Sequence, residues 1–246
     1  MPGAFRQRFR LLLGVPALIL ALWGGGCAQD ISLTVRAGDR PPTPEFVLSP
    51  PREALVVAGG TQIDSFQIVL RDIRLQSNPT DAGEPTADIF FVGSGTRVVT
   101  LSGSSLSPGA QTRIISGVHI GAKGYYEMDI TLRPVTPGEA AGDATLAALL
   151  NRTFIIQGHS AGGSPFTFES ALEQTLLRQS VFRMGLNHNN LDLNIAPGRW
   201  FETPDGGVLD PTSSDPAVRS LIESNVAGSI DGYQDDNFDG VPDPLG

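Results

Sequence analysis

Nine residues near the C-terminus hold a dense run of hard oxygen donors: Asp235-Asp236-Asn237-Phe238-Asp239-Gly240-Val241-Pro242-Asp243. Counted from Asp235, carboxylate or amide side chains fall at positions 1, 3, 5 and 9, with glycine at 6. That is the spacing of a calcium loop. Alternate side chains turn inward, the glycine permits a sharp bend, and hard oxygens suit a hard cation. The candidate ligands are the side chains of Asp235, Asn237, Asp239 and Asp243, with the backbone carbonyl of Val241 at position 7. Position 12 is Gly246, where an EF-hand carries a bidentate glutamate, and the helix expected over residues 216–230 stops short of the loop. Extracellular calcium sites bind at only about 10⁻⁴–10⁻³ M, so a site with few ligands is still useful. The competing reading is a solvated acidic tail.

A second string, Gly158-His159-Ser160-Ala161-Gly162-Gly163, fits G-x-S-x-G and follows a strand-like stretch at 153–157. A nucleophile elbow also needs a helix after the serine. Here Gly162, Gly163 and Pro165 lead straight into the alternating Phe166-Thr167-Phe168 of a returning strand. His188 is the one histidine downstream, and the parallel framework that separates triad members is missing from the pattern. A glycine-rich hairpin turn is therefore expected, no catalytic residue is assigned, and a serine hydrolase ranks third among the functional readings. His119, His159 and His188 are scattered. Met184 and His188 would approach across one turn, which leaves a copper site as an alternative to a turn histidine and a core methionine. Tyr125-Tyr126 and Trp200-Phe201 read as strand and core anchors.

The single cysteine, Cys27, carries the third kind of chemistry. Arg6, Arg8 and Arg10 precede a twelve-residue apolar run (11–22), then Trp23 and Gly24-Gly25-Gly26. This is a charged n-region, a short h-region and a small-residue cleavage zone. The thiol immediately after the zone makes the segment look like a lipoprotein signal, with Cys27 as the lipid acceptor. A plain secretory signal is the alternative, since Leu22 lies two residues too early for the usual box. A membrane span needs about 20 apolar residues, and Pro16 interrupts this shorter run. Ala28, rather than an aspartate after the cysteine, favours the outer membrane.

The chain has 246 residues and net charge −9. Cleavage after Gly26 removes three arginines and no acid, which leaves 220 residues with 14 basic against 26 acidic, a charge of −12. Such a body binds nucleic acid poorly and is repelled by anionic lipid, so acyl chains rather than a basic patch would hold it to a membrane. With one cysteine, neither an intramolecular disulfide nor a thiolate zinc site can form.

These residues need a scaffold, and the period of the sequence is two. Phe66, Ile68 and Leu70 alternate with polar neighbours, and Ile73 and Leu75 restart the alternation after Arg71-Asp72, which predicts a bulge there. Residues 126–132 alternate cleanly. Runs at 89–92 and 98–101 are strand-like. Residues 153–157 and 166–169 flank a Gly/Ser turn and predict a hairpin; 181–186 and 191–195, around Asn187-His188-Asn189-Asn190, predict a second. Residues 31–36 are strand-like within a proline-rich leader, either a tether or an edge strand. Ser214-Asp215-Pro216 opens a helix whose Val218, Leu221, Ile222 and Val226 share one face, and 145–150 predicts a short helical turn. Short strands with few helices predict an all-β fold, an antiparallel β-sandwich or a barrel, with one C-terminal helix. The expected organisation is a signal peptide (1–26), a lipidated leader (27–51), a β-sandwich (52–205) and a C-terminal helix with the acidic loop (206–246).

Pro165–Ser170 (PFTFES), Asn190–Ile195 (NLDLNI) followed by Trp200-Phe201, and the helix-to-acidic stretch 222–240 together resemble a family of uncharacterised bacterial β-sandwich lipoproteins. The acidic end itself is similar to the calcium loops of thrombospondin type 3 repeats and dockerin-like modules, where neighbouring segments add ligands. The resemblance covers about residues 60–243. It implies a sandwich and a lipid anchor and implies no activity. Periplasmic proteins associated with copper-binding peptides share related architecture, but no His-rich cluster stands here to carry that role over. The expectation is a non-enzymatic outer-membrane lipoprotein of the bacterial cell envelope, with a structural or binding role and weakly bound calcium. Its partners would be the membrane, through the lipid, and an envelope protein or polysaccharide, but not nucleic acid. The alternative is a periplasmic metal- or small-ligand-binding protein.

Overall fold

A computed structural model of the chain describes residues 29–37, 55–77, 89–106, 110–120, 124–184, 190–237 and 243. Cys27, the segment before it and most of the leader lie outside the described residues. The strands are β1 (Gln29–Ala37), β2 (Leu55–Val56), β3 (Gln62–Gln76), β4 (Ile89–Ser102), β5 (Gln111–Ile120), β6 (Gly124–Leu132), β7 (Phe154–His159), β8 (Pro165–Ser170), β9 (Gln174–Arg183), β10 (Asn190–Ile195) and β11 (Ile230–Gln234). They form two sheets. One has the order β11-β10-β1-β5; the other runs β8-β7-β3-β6-β9, with β2 and β4 also paired to β3. The expected all-β sandwich is what forms, and its sheets stay open rather than closing into a barrel. Among the described residues every strand pair is antiparallel except β1 with β10.

β3 organises the larger sheet. It pairs with β4 along most of its length, and with β7 over Gln62–Ile68 and β6 over Leu70–Gln76. The predicted bulge follows just after the handover. Asp72 has φ 45°, and the register with both β4 and β6 shifts between Arg71 and Arg74. One face of each sheet is apolar, and the two faces meet. Phe66, Ile68 and Leu70 of β3 and Met128, Ile130 and Leu132 of β6 face Leu33 and Val35 of β1 and Leu191, Leu193 and Ile195 of β10, all essentially solvent-free. Each such side chain stabilises the fold by roughly 1.5–3 kcal/mol before conformational entropy is set against it. Trp200 and Phe201 anchor this core as expected: Trp200 meets Phe66 edge-on at 5.1 Å, and Phe201 meets Phe166 at 5.5 Å.

Among the described residues three α-helices decorate the sandwich: α1 (Pro137–Ala140), α2 (Ala144–Ala148) and α3 (Pro216–Gly228). The α3 cap is the predicted one, with the Asp215 side chain accepting from the Ala217 N–H and Pro216 opening the first turn. Its Ile222, Val226 and Ala227 enter the main core. α1 and α2 cover a small second cluster, Val69, Val135 and Leu149, on the outer face of the larger sheet.

Several expectations need correction. Residues 181–186 and 191–195 do not form a hairpin: β9 pairs with β6, while β10 lies in the other sheet between β1 and β11. The runs at 89–92 and 98–101 belong to the single strand β4, with Gly95 at φ 81° between them. The strand in the leader is neither tether nor edge, because β1 is paired on both sides. The helix before the acidic loop ends at Gly228, and strand β11, not the helix, enters the loop. Tyr125 is buried as an anchor, but Tyr126 is exposed.

Candidate functional site

β10 is buried on both faces. Its leucines point into the core, so Asn190, Asp192 and Asn194 project from the opposite face beside Thr34 and Arg36 of β1 and Tyr233 of β11. These polar side chains are also buried. Asp192 sits at their centre. Arg36 Nε lies 3.0 Å from Asp192 Oδ2, the Tyr233 hydroxyl donates to the same oxygen at 2.9 Å, and Thr34 donates to Oδ1 at 2.8 Å. The Arg36 guanidinium also lies over the Tyr233 ring, 5.2 Å from its centre. Burial pushes the Asp192 carboxyl above the usual carboxylate range. The Thr34 hydrogen bond and the Arg36 charge oppose that rise, and repulsion from Asp235 adds to it.

The repulsion marks the junction between this network and the acidic loop. Asp235 follows β11 and is fully buried. The Asn190 side-chain amide donates to the Asp235 carbonyl at 2.7 Å, and its backbone N–H donates to Asp236 Oδ1 at 3.0 Å. Gln234 donates to Asp236 Oδ2 at 2.7 Å. At the far side of the loop, the Asp243 N–H donates to the Gln234 carbonyl at 2.9 Å, and Asp243 Oδ2 accepts from the Asp236 N–H at 2.5 Å. The first and ninth positions of the string are thus drawn together at the end of β11. Of the five predicted ligands, Asp235, Asn237 and Asp243 are described; Asp239 and Val241 lie outside the described residues. Among the described residues no group of three His, Cys, Asp or Glu side chains converges as a metal cage. The donors at hand are oxygen, which suits calcium over a soft metal.

The buried Arg36–Asp192–Tyr233 cluster is absent from the sequence reading. Its only sequence signal is polar residues alternating with leucines in β10, a pattern that ordinarily marks a solvent face. Asn190 and Asp236 carry no ligand signal in the sequence either: one stands in the 187–190 turn pattern and the other at position 2 of the loop spacing.

The Gly158–Gly163 string forms the tip of the β7–β8 hairpin, as expected. Ser160 N–H donates to the Ser164 carbonyl at 2.8 Å and Gly163 N–H to the Ser160 carbonyl at 2.8 Å, with Gly163 at φ 80°. Strand β8 follows directly, in the place an elbow helix would occupy. His159 Nδ1 lies 2.9 Å from Asp64 Oδ2 on the neighbouring strand. Met184 is buried in the core. His119 belongs to β5, in the opposite sheet from His159, and His188 lies outside the described residues, as does the acceptor Cys27. No helix among the described residues is long and apolar enough to cross a membrane. Compared with known proteins, the chain matches no family model, no curated protein and no solved structure.

Proposed function

We propose that the chain is a lipid-anchored protein of the bacterial cell envelope, held by Cys27, with a structural or binding role rather than a catalytic one. Its acidic C-terminal loop binds calcium. The observation that supports the calcium reading is the return of Asp243 to the start of its own loop, where its carboxylate and N–H both engage residues 234–236. One cation can be shared by positions 1, 3 and 9 only if the chain folds back in this way. Asp235, Asn237 and Asp243 would supply side-chain oxygens, with Asp239 and the Val241 carbonyl completing the set. Calcium would also offset the repulsion between Asp235 and buried Asp192, so binding would tighten the junction of β10 and β11.

Calorimetry and thermal unfolding of the protein without residues 1–26 test this. Calcium at a hundred times its dissociation constant stabilises by about 2.7 kcal/mol. The parent is expected to show that calcium-dependent rise in Tm, and Asp235→Ala/Asp239→Ala to lose it. A parent whose Tm ignores calcium sinks the loop assignment. For the anchor, Cys27→Ser is expected to move the full-length protein from the membrane fraction to the soluble one. A Cys27→Ser chain that stays membrane-bound and processed like the parent overturns it.

A further inference from the structure

The outer face of the larger sheet has two halves. α1 and α2 cover the half over Val69. The other half, over β3, β6 and β9, is not covered by a helix among the described residues and holds a groove of about 480 Å³ lined by Gln76, Ser77, Tyr126, Glu127, Gln179, Ser180 and Val181. Gln76 pairs in register with Glu127, and Glu127 with Gln179, so three polar heads stand in one row across three neighbouring strands. A β-ladder spaces such heads about 4.8 Å apart. Among the described residues, none of these three side chains spends its donors or acceptors on an internal hydrogen bond.

A bulge supplies the aromatic component. The β6–β9 register slips between Tyr125 and Glu127, where β9 carries an extra residue. Along β6 itself Tyr125 and Met128 are both fully buried though three positions apart, so the alternation breaks between them, and the consecutive Tyr126 and Glu127 both line the outer groove. The ring lies against Gly124 of its own strand: a Cβ built there would be in ordinary van der Waals contact, 3.5 Å from the Tyr126 hydroxyl and 3.8 Å from two ring carbons. Tyr126 thus folds back along its own strand and stays 36 % exposed beside the row.

The composition of the groove selects a ligand class. Among the described residues its one carboxylate, Glu127, is too few for a hard cation. No Arg or Lys is among the described lining residues, Arg74 on the same ladder lies beside Asp129, 3.8 Å away, and the chain carries a charge of −9, so phosphates and acidic polymers are disfavoured. The polar row disfavours a purely apolar ligand. An aromatic ring beside amide and carboxylate heads suits a sugar, whose ring has an apolar C–H face and an edge of adjacent hydroxyls. We infer that the Tyr126 groove binds a neutral glycan chain: Tyr126 stacks on one sugar ring, and Gln76, Glu127 and Gln179 take its hydroxyls. This inference rests on the binding role proposed above but not on the lipid or the calcium loop.

Affinity electrophoresis through gels containing neutral soluble polysaccharides (dextran, laminarin, xylan or hydroxyethylcellulose) tests it on the protein without residues 1–26, with EDTA present. EDTA and removal of the acceptor cysteine's signal keep failure of the glycan site distinct from failure of the loop or the anchor. The parent is expected to be retarded by at least one neutral polymer. Tyr126→Ala and Glu127→Gln/Gln179→Ala are each expected to weaken that retardation about tenfold or more, with thermal unfolding unchanged. Ser160→Ala, on the distant hairpin, should behave as the parent. Retardation by none of the neutral polymers, equal retardation of Tyr126→Ala, or retardation only by an anionic polymer or an added peptide overturns the assignment.

Discussion

A single missing atom at Gly158 separates two readings of the Gly158–Gly163 string. A Cβ at that position would overlap the Gln62 carbonyl oxygen and crowd the Ile63 backbone on the adjacent strand. The glycine is therefore a packing requirement of the β3–β7 contact, where the register shifts between Ile63 and Ser65, and not the tight turn of a nucleophile elbow. Gly158→Ala is expected to destabilise by about 1–3 kcal/mol through overpacking. Ser160→Ala should stay within about 0.5 kcal/mol of the parent and leave any background ester hydrolysis unchanged. Denaturant titration measures the first, and an ester assay on both chains the second. The hairpin itself was readable in the sequence because Gly, Ser and Pro break the alternation locally. The Asp192 cluster was not. Thr34 and Asp192 are 158 positions apart, and nothing local marks an aspartate whose counter-charge arrives from another strand.

At the scale of elements, α1 is too short to hold itself in place. It is held through Glu139, which accepts from Thr136 in a capping box, from Thr96 of β4 at 2.6 Å, and from Arg71 of β3. Partial burial pushes the Glu139 carboxyl up, but the hydrogen bonds from Arg71, Thr136 and Thr96 outweigh it and hold the group far below the usual carboxylate range. A carboxyl lowered on folding stabilises at pH values above its unfolded pKa, near 4.3, and that contribution is lost as pH falls through the folded value. Glu139→Gln is expected to cost about 1–3 kcal/mol at pH 7, and the gap from the parent to narrow as the pH drops below about 4. Denaturation curves at pH 7, 4.5 and 3.5 check both the size and the sign. Elements with one wet face, such as β6, were legible from their alternation. β5, with Arg113, Ser116 and Gly117 blurring the period, was not. Nor was β11, where Gly232 reads as a loop residue. The structure shows why it stands in a strand: a Cβ there would press on the Met128 sulfur at 2.7 Å. β10 was found as a strand but placed beside the wrong neighbour, because pairing with β1 across more than 150 residues leaves no local trace.

For the whole molecule, the C-terminal third is built into the sandwich. α3 packs into the core, β11 completes the smaller sheet, and Arg178 of β9 donates to the Ala227 carbonyl in the last turn of α3 and to the Ile230 carbonyl at the start of β11. The Gln234 amide both accepts from the Arg183 N–H and donates to its carbonyl, so it caps the edge of β9 as a neighbouring strand would. A chain ending at residue 213 is therefore expected to lose cooperative unfolding altogether rather than shed a separate module, which circular dichroism during heating would show. β1 carries a different consequence. It begins at Gln29, and two residues span at most about 7 Å, so a lipid on Cys27 would leave almost no leash. The ends of the strands then dictate posture. Gln29 pairs with Ile120, Ser32 with Asn190 and Gly124 with Arg183, and Arg183 bonds Gln234, so these ends, the described residues of the acidic string (235–237 and 243) and the Tyr126 groove share one pole of the sandwich. α1 and α2 follow the far end of β6, at the opposite pole. An acylated chain would stand on the bilayer with both of its candidate binding features pressed toward the headgroup layer, sampling ions and sugars at the membrane surface rather than in the open space beyond it.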